Sequence, residues 1–265
     1  MLAGAVIVAG GDGTVREAAN GLAGRDTPLA ILPGGTENLV ARYFGCDGDP
    51  GRTAEAVLSD RRAALDVGSA NGRMFLVVAG FGFDAEVVER VHAGRRGHIS
   101  HASYYLPLFR TLASHRYGAM RVEAEGEVLC DEPALVFLGN LPRYALGLRV
   151  ARDARCDDGM LDVCIFRCDG RARLIAHAWR TVWRRHVGGP GVIYRRARQV
   201  AVTASRPTPY ELDGDIAGVV WHGAAELENK RLPVDGFSSR RQSAVEWTPR
   251  VEFSVRRAAL RLCVP

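Results

Sequence analysis

Residues 10–14, GGDGT, place three glycines, a carboxylate and a hydroxyl between an apolar run at 6–9 and an amphipathic pattern at 15–22. The glycines permit backbone angles and close approaches that a side chain would block, while Asp12 and Thr14 add an acceptor and a hydroxyl. Backbone N–H groups at the start of a helix bind phosphate oxygens. This spacing therefore predicts a strand, a phosphate-binding turn and a helix.

A second turn of the same kind follows the apolar run at 28–32. The sequence PGGTEN at 33–38 again places glycines after a strand, with Thr36 and Asn38 opening a helical pattern. Parallel strands bring their carboxyl ends to one edge of a sheet, so the two turns are expected to face a single crevice.

The stretch ELDGD at 211–215 carries two carboxylates, Asp213 and Asp215, on either side of Gly214. Transfer of a phosphoryl group to an alcohol needs a positioned acceptor for the hydroxyl proton, and a carboxylate on a turn can provide it. The alternative is an Asp-Gly hairpin turn exposed to solvent, which needs no chemistry. Taken alone, the stretch leaves both interpretations open.

The amino-acid composition limits the classes of function that are expected for this chain. The chain has 265 residues, 47% of them hydrophobic, and a net charge of +5, which suits an anionic nucleotide, an anionic membrane surface or nucleic acid. No nucleic-acid recognition motif is present, so nucleic acid is not an expected partner. The six cysteines form no Cys-x-x-Cys pair and are expected to be buried thiols rather than metal ligands. The first residues do not match a signal peptide or a membrane span, which favours a cytoplasmic location.

The elements that would position these residues fall into two regions. Residues 1–65 predict strands alternating with helices, as in an α/β domain, with a helix over 53–59 and a strand over 64–68. Residues 66–235 predict a β-rich, sandwich-like domain with helices at 84–92 and 101–114. Its predicted strands include 120–129, 134–140, 161–166, 199–204 and 209–215. The segment 236–265 either completes the first domain or forms a loosely held tail.

A further helix is predicted over 171–187. The apolar residues Leu174, Ile175, Ala178, Trp179, Val182 and Trp183 follow one helical stripe, with arginines opposite. Packing of this stripe in the core is the favoured interpretation, and contact of a basic amphipathic helix with anionic lipid is the alternative. Arginines near 95–96 and 180–185 are the candidates for such a membrane contact.

Four blocks in order give the chain a family resemblance: GGDGTVREAANG, LPGGTENLVARYFG, AGFGFDAEVVERV with RYALGLRVARDARCDDGMLDV, and ELDGDIAG. Over residues 5–235 the chain resembles the diacylglycerol kinase catalytic-domain family of bacterial lipid kinases, which is similar to sphingosine and ceramide kinases. The resemblance implies an α/β nucleotide-binding domain and a β-rich domain with the active site between them. It implies a kinase that uses ATP and Mg²⁺ to phosphorylate a lipid alcohol, in peripheral contact with the inner face of the membrane.

The resemblance also implies roles for individual residues. Asp12 would hold Mg²⁺ at the nucleotide, Asp215 would be the general base, and Asp213 would orient it or join the metal network. A second, structural Mg²⁺ would be held by the Asp158 side chain and the carbonyls of Arg155 and Met160. The implied nucleotide-contacting residues are Gly10, Gly11, Asp12, Gly13, Thr14, Val15, Arg16, Glu17, Gly35, Thr36 and Asn38.

Three departures accompany the resemblance. The family's preceding strand-helix unit, with an Asn-Pro-x-Ser-Gly loop, is absent, which predicts an N-terminally truncated nucleotide domain. Leu39 stands where an acidic residue of the metal network is expected, and Arg16 replaces a common Asn and is expected to pair with phosphate. Two alternatives follow: a non-catalytic lipid- or nucleotide-binding homologue, and an NAD kinase-like enzyme acting on a soluble substrate. The oligomeric state is left open, with a homodimer among the alternatives.

Overall fold

The computed structural model describes residues 4–59, 61–94, 102–223 and 246–265. Arg95 and Arg96, named above as membrane-contact candidates, lie outside the described residues, as does part of the 236–265 segment. The α-helices within the described ranges are α1 (Asp12–Leu22), α2 (Leu39–Tyr43), α3 (Pro50–Leu58), α4 (Phe83–Ala93), α5 (Ala102–Ser114) and α6 (Arg171–Val182).

The strands of these same ranges form one extended sheet system. They are β1 (Val6–Gly10), β2 (Leu29–Pro33), β3 (Arg62–Ala70), β4 (Arg73–Phe75), β5 (Val78–Phe81), β6 (Ala119–Ala124), β7 (Glu127–Gly139), β8 (Leu161–Arg167), β9 (Val192–Ala197), β10 (Gln199–Ala204), β11 (Thr208–Leu212), β12 (Asp215–Val220), β13 (Trp247–Thr248) and β14 (Val251–Cys263). Neighbours run in the order β1-β2-β14-β10-β6-β7-β5-β11-β12-β13, with β3 beside β14 and β8 beside β7. The predicted mixed α/β fold with a β-rich second region is confirmed.

Strands β1 and β2 set the geometry of the predicted crevice. They are parallel, and their register places Gly10 opposite Pro33. Both glycine turns therefore leave the same edge of the sheet at the same level, as the sequence predicts. Helix α1 begins directly after β1 and buries Val15 and Ala19 against the sheet.

Strand β14, near the C-terminus, lies between strands of the N-terminal region and strands of the β-rich region. It pairs parallel to β2 at Leu262 and antiparallel to β3 and β10. Leu262 belongs to the hydrophobic cluster beneath the glycine turns, while Phe253 belongs to the cluster between the β-rich strands. Residues 251–263 are thus a central strand of the sheet and not a loosely held tail.

Helix α6 packs differently from what the sequence predicted. Its buried side chains are Leu174, His177 and Thr181, and the two polar ones find partners there. His177 Nε2 lies 3.0 Å from the carbonyl of Arg167, and Thr181 Oγ1 donates to the His177 carbonyl. This face packs inward, so most of the predicted apolar stripe points outward. Ile175, Trp179, Val182 and Trp183 are 55–65% exposed, and core packing is the wrong explanation for them.

Candidate active site

The two glycine turns pack against each other backbone to backbone. Gly34 N donates to the Gly10 carbonyl at 2.9 Å, and a Cβ on Gly35 would lie 2.5 Å from Gly11 Cα. The turn glycines at 10, 11, 13, 34 and 35 all have ordinary negative or extended φ values, since none is among the positive-φ glycines. The expectation that they supply unusual backbone angles is therefore wrong. At Gly11 and Gly35, the close approach of the two backbones is what requires glycine.

The first turn is also the start of a helix. Gly11 is the residue that precedes α1, its backbone is extended, and its carbonyl accepts the first helical bond from Val15 N. A Cβ on Gly13 would meet no atom within 4 Å, so the helix start is open on this side. The free N–H groups and the positive end of the helix dipole together favour an anion here.

Asp12 and Asn38 tie the two turns together. Asp12 Oδ1 lies 3.4 Å from Val40 N at the start of α2, and desolvation by the surrounding protein raises the pKa of Asp12. Asn38, with φ of 49°, accepts from Gly35 N and donates to the Gly35 carbonyl, both at 2.8 Å. The Asn38 side chain therefore closes the second turn, because both its polar ends are used within that turn.

Asp213 and Gly214 form the two-residue turn between β11 and β12. Both have positive φ, 52° and 83°, as a type I′ hairpin requires. The hairpin interpretation is correct in geometry, but the turn is not a solvent-exposed one. The Asp213 carboxylate accepts N–H bonds from Leu76, Val77 and Val78 at 2.7–3.0 Å. Desolvation raises the pKa of Asp213 to about 6, while these amides act in the opposite direction.

Asp215, the first residue of β12, is held by Arg16 of helix α1. Arg16 Nη2 lies 2.6 Å from Asp215 Oδ2, and Arg16 Nη1 donates to the Leu212 carbonyl at 2.7 Å. The other carboxylate oxygen, Oδ1, lies 3.9 Å from His92 Nε2. Arg16, expected to pair with phosphate, instead joins both strands of the hairpin to helix α1.

A buried acid pair behind the hairpin was missed by the sequence analysis. Glu211 Oε2 accepts the Gly214 N–H at 2.6 Å, and its other carboxyl oxygen faces Asp84 of α4. Tyr144 OH donates to Asp84 Oδ2 at 2.9 Å. Desolvation, and then the neighbouring Asp84 carboxyl, raise the pKa of Glu211 well above its usual range, and desolvation raises that of Asp84 to about 6. The sequence signal that could have pointed to Glu211 was the acidic residue at every second position, 211, 213 and 215, of the hairpin.

The turns and the hairpin surround one cavity of about 490 Å³. The predicted residues that line it are Gly11, Asp12, Gly13, Thr14, Gly35, Thr36, Asp213 and Asp215. The predicted residues that do not are Gly10, Val15, Arg16, Glu17 and Asn38. Val15 is 2% exposed and packs in the core, while the Glu17 side chain is 72% exposed and points to solvent. Further lining residues that were not predicted from the sequence include Glu37, His92, Tyr104 and Tyr144.

The side chains that line this cavity can be compared with the ligands that Mg²⁺ requires. Within the described ranges, no group of three or more His, Cys, Asp or Glu side chains is arranged to hold a metal ion. Asp12 and Glu37 both line the cavity, as does Leu39 at the start of α2, whose side chain has no atom that could bind a metal. Mg²⁺ is commonly bound by one or two carboxylates together with substrate phosphates and waters. The site therefore fits a Mg²⁺ that arrives with a nucleotide.

The second predicted metal site has a competing cation. Asp158 Oδ2 is paired with the Arg196 guanidinium, and Asp158 Oδ1 accepts the Met160 N–H at 3.0 Å. The Arg155 side chain pairs with Asp157. Because a guanidinium already neutralises the Asp158 carboxylate, a bound Mg²⁺ would have to displace it, and the site stays a prediction.

A second cavity, of about 520 Å³, adjoins the first. It lies between the sheet and helices α4, α5 and α6, and its walls are largely apolar, with Leu135, Phe137 and Phe166 among them. Tyr104 and Tyr144 line both cavities. The two cavities thus share part of their walls and differ in character, since glycine turns and carboxylates line the first and mostly apolar side chains line the second.

A helix-start anion site thus faces a carboxylate-bearing hairpin across one cavity. Among known families, residues 2–70 match the model described as diacylglycerol kinase catalytic domain. Residues 77–232 match the model described as YegS C-terminal NAD kinase beta sandwich-like domain. The chain belongs to the diacylglycerol kinase family.

Individual relatives carry the same description. The chain is similar to a diacylglycerol kinase of Bacillus subtilis, with 31% identity over 81% of this chain and 72% of the relative. It is 34% identical to a diacylglycerol kinase of Mycobacterium tuberculosis over 80% of this chain and 71% of the relative. The fold is similar to a solved Bacillus anthracis diacylglycerol kinase at 19% identity and a TM-score of 0.62, covering 98% of this chain and 75% of the other.

Proposed function

We propose that this protein is an ATP-dependent lipid kinase that transfers the γ-phosphate to the hydroxyl of a diacylglycerol-like lipid. The observation that carries the proposal is the meeting of the two glycine turns and the Asp213–Asp215 hairpin in one cavity that shares Tyr104 and Tyr144 with an apolar one. The first cavity suits phosphates and the second suits an acyl chain. A lipid alcohol lying across both would present its hydroxyl where they join.

The nucleotide phosphates would lie against the N–H groups at the start of α1, where Gly13 leaves room for them. Thr36 lines the opposite wall and adds a hydroxyl from the second turn. Asp12, with Glu37 beside it, would hold Mg²⁺, which supplies neutralisation of the charge that develops on the phosphate oxygens.

Asp215 would accept the proton of the lipid hydroxyl. Arg16 fixes one of its carboxylate oxygens, and Asp213 anchors the turn through three backbone N–H groups. Holding the base still in this way saves the entropy of positioning it at each turnover. Asp213 thus serves as a positioning residue for Asp215.

The lipid substrate implies reversible contact with a membrane at its cytoplasmic face. No helix within the described residues is long and apolar enough to span a bilayer. The apolar cavity favours a lipid over the soluble substrate of an NAD kinase-like enzyme. Leu39, which lines the polar cavity in place of the expected acidic residue, supports a non-catalytic lipid- or nucleotide-binding protein as the second candidate function.

The test is transfer of labelled γ-phosphate from ATP to dispersed diacylglycerol, with Asp215→Asn as the variant. We expect the variant to lose about 10²-fold or more in kcat and to bind ATP as the wild type does. Asp26→Asn is the matched control, since the Asp26 side chain is 92% exposed. Undiminished turnover in Asp215→Asn would refute its role as base. A wild-type protein that binds ATP and yields no phosphorylated lipid would favour the second candidate.

A further inference from the structure

Helices α5 and α6 present a surface that is both apolar and basic. The exposed apolar side chains of α5 are Tyr105, Leu106 and Phe109, at 56–64% exposure. Those of α6 and the residue after it are Ile175, Trp179, Val182 and Trp183. We call these seven residues the α5–α6 face. Most large apolar side chains of a soluble domain are buried, so seven exposed ones on two neighbouring helices call for a partner.

The two helices are neighbours on the same side of the sheet. Both line the apolar cavity, α5 through Leu108 and α6 through Leu174 and Ala178. The Arg171 guanidinium at the start of α6 donates to the Ala113 carbonyl near the end of α5. Val182 is 59% exposed and also lines the apolar cavity. The cavity therefore reaches the surface at the α5–α6 face.

The charge of helices α5 and α6 indicates what kind of partner the α5–α6 face would bind. Residues 102–114 and 171–186 contain no Asp or Glu, whereas they contain Arg110, Arg171, Arg173, Arg180, Arg184 and Arg185. Arg173 is offset by an ion pair with Asp169. Arg184 and Arg185 are exposed beside Trp183. Tryptophan and tyrosine rings prefer the headgroup level of a bilayer, and arginines beside them attract anionic lipids.

We propose that the α5–α6 face docks on the surface of an anionic lipid bilayer. In this arrangement Trp179 and Trp183, whose rings are 5.7 Å apart, lie among the headgroups, and the mouth of the apolar cavity faces the acyl chains. A lipid then enters the cavity without crossing water. The assignment of the cavity to lipid rests on the proposed function, whereas the docking itself rests on the exposed aromatic and basic side chains.

The experiment is sedimentation of the whole protein with vesicles, in the absence of nucleotide and Mg²⁺. We expect binding to phosphatidylglycerol–phosphatidylcholine vesicles and much weaker binding to phosphatidylcholine alone or at high salt. Trp179→Ser/Trp183→Ser should lower the partition coefficient by about tenfold or more. Both side chains are exposed, so the melting temperature should not change. Leu58→Ser is the matched control, because Leu58 is 74% exposed on α3, outside this face.

Equal vesicle binding by the double variant and the wild type, or no binding by the wild type, overturns the docking surface. A second measurement separates this from failure of the proposed function: phosphorylation of a short-chain diacylglycerol dissolved below its micelle concentration. The double variant should phosphorylate this soluble lipid at the wild-type rate and vesicle-embedded lipid more slowly. If no lipid is phosphorylated but the variant alone loses vesicle binding, the docking surface stands and the kinase assignment fails.

Discussion

Arg16 holds the hairpin residue that is proposed to act as base. Its guanidinium reaches the Leu212 carbonyl and the Asp215 carboxylate through two different nitrogens. A lysine ammonium is a single point charge and cannot keep both contacts. Arg16→Lys should therefore lower kcat by about tenfold or more and change the Kd for ATP by less than about twofold. Initial-rate kinetics and calorimetric titration with ATP measure the two quantities.

Pairing of Arg16 with a phosphate, which its residue type predicts, gives the opposite prediction for the same variant. A guanidinium that binds phosphate would, on replacement, raise the Kd for ATP and leave kcat much less affected. That result would contradict the positioning role. Arg25→Lys, at an exposed residue beyond α1, is the control for a general effect of the substitution.

The buried carboxyl of Glu211 makes the stability of the protein depend on pH. The folded state binds its proton more tightly than the unfolded chain, so stability falls as the pH rises from the unfolded pKa toward the folded one. The pKa values of Asp84 and Asp213 are also raised, to about 6, so these two residues make their own contributions to this loss of stability, in a lower pH range. In Glu211→Gln the amide oxygen accepts the Gly214 N–H and the amide nitrogen donates to Asp84, without ionising. As the pH rises above the unfolded pKa of a glutamate, the variant should therefore lose less unfolding free energy than the wild type.

Urea unfolding at a series of pH values measures this difference, and Glu127→Gln, at an exposed residue, should keep the wild-type pH slope. An unchanged slope in Glu211→Gln would show that Glu211 does not titrate in this range. Residue types and spacing pointed to Asp12, Asp213 and Asp215, which the structure brings to one cavity. They did not reveal Glu211 and Asp84, because the importance of both depends on burial and on a contact between distant parts of the chain.

At the scale of elements, the two glycine turns behave as one unit. A methyl group on Gly35 would lie 2.5 Å from Gly11 Cα and 2.9 Å from Asn38 Oδ1. Backbone atoms cannot move aside as a flexible side chain can. Gly35→Ala should therefore lower the unfolding free energy by about 1–3 kcal/mol and weaken ATP binding. Urea unfolding and titration with ATP measure the two effects.

The control is Gly21→Ala, since a Cβ on Gly21 meets no atom within 4 Å. Gly21 lies inside α1, so alanine there should raise the unfolding free energy by up to about 1 kcal/mol. If Gly35→Ala were as stable as the wild type, the turns would not pack as closely as described.

Element boundaries show where local patterns were enough and where they were not. Helix α3 begins at Pro50 and not at 53, because Asp49 accepts N–H bonds from Gly51 and Arg52 and Pro50 suits a first helical position. The segment 120–129, predicted as a strand, turns at Glu125 and Gly126, both with positive φ. The Glu-Gly pair was a weaker hairpin signal than Asn-Gly or Asp-Gly would have been.

At the scale of the whole molecule, the order of α/β and β-rich regions was predictable from periodicity, but the place of β14 was not. A strand that pairs with β2, β3 and β10 makes contacts that are distant in sequence, and such contacts leave no local pattern. The exposed stripe of α6 was also unpredictable, since periodicity shows that a helix is amphipathic and not which side packs inward. Both features depend on the assembled sheet.

Strand β14 should couple the stability of the two regions. Phe253 is 2% exposed and its ring packs edge-on against Phe75 and Phe81 in the β-rich cluster. Phe253→Ala should lower the unfolding free energy by about 3–5 kcal/mol. Because β14 continues to Leu262 beside β2, unfolding that begins in the β-rich cluster should also release β1 and β2. Hydrogen exchange should then speed up in β1 and β2 as much as in β10 and β11. Val128→Ala, at a 44% exposed side chain, should leave both sets of amides unchanged. If only β10 and β11 exchanged faster in Phe253→Ala, the two regions would unfold independently, and β14 would hold them together without coupling them.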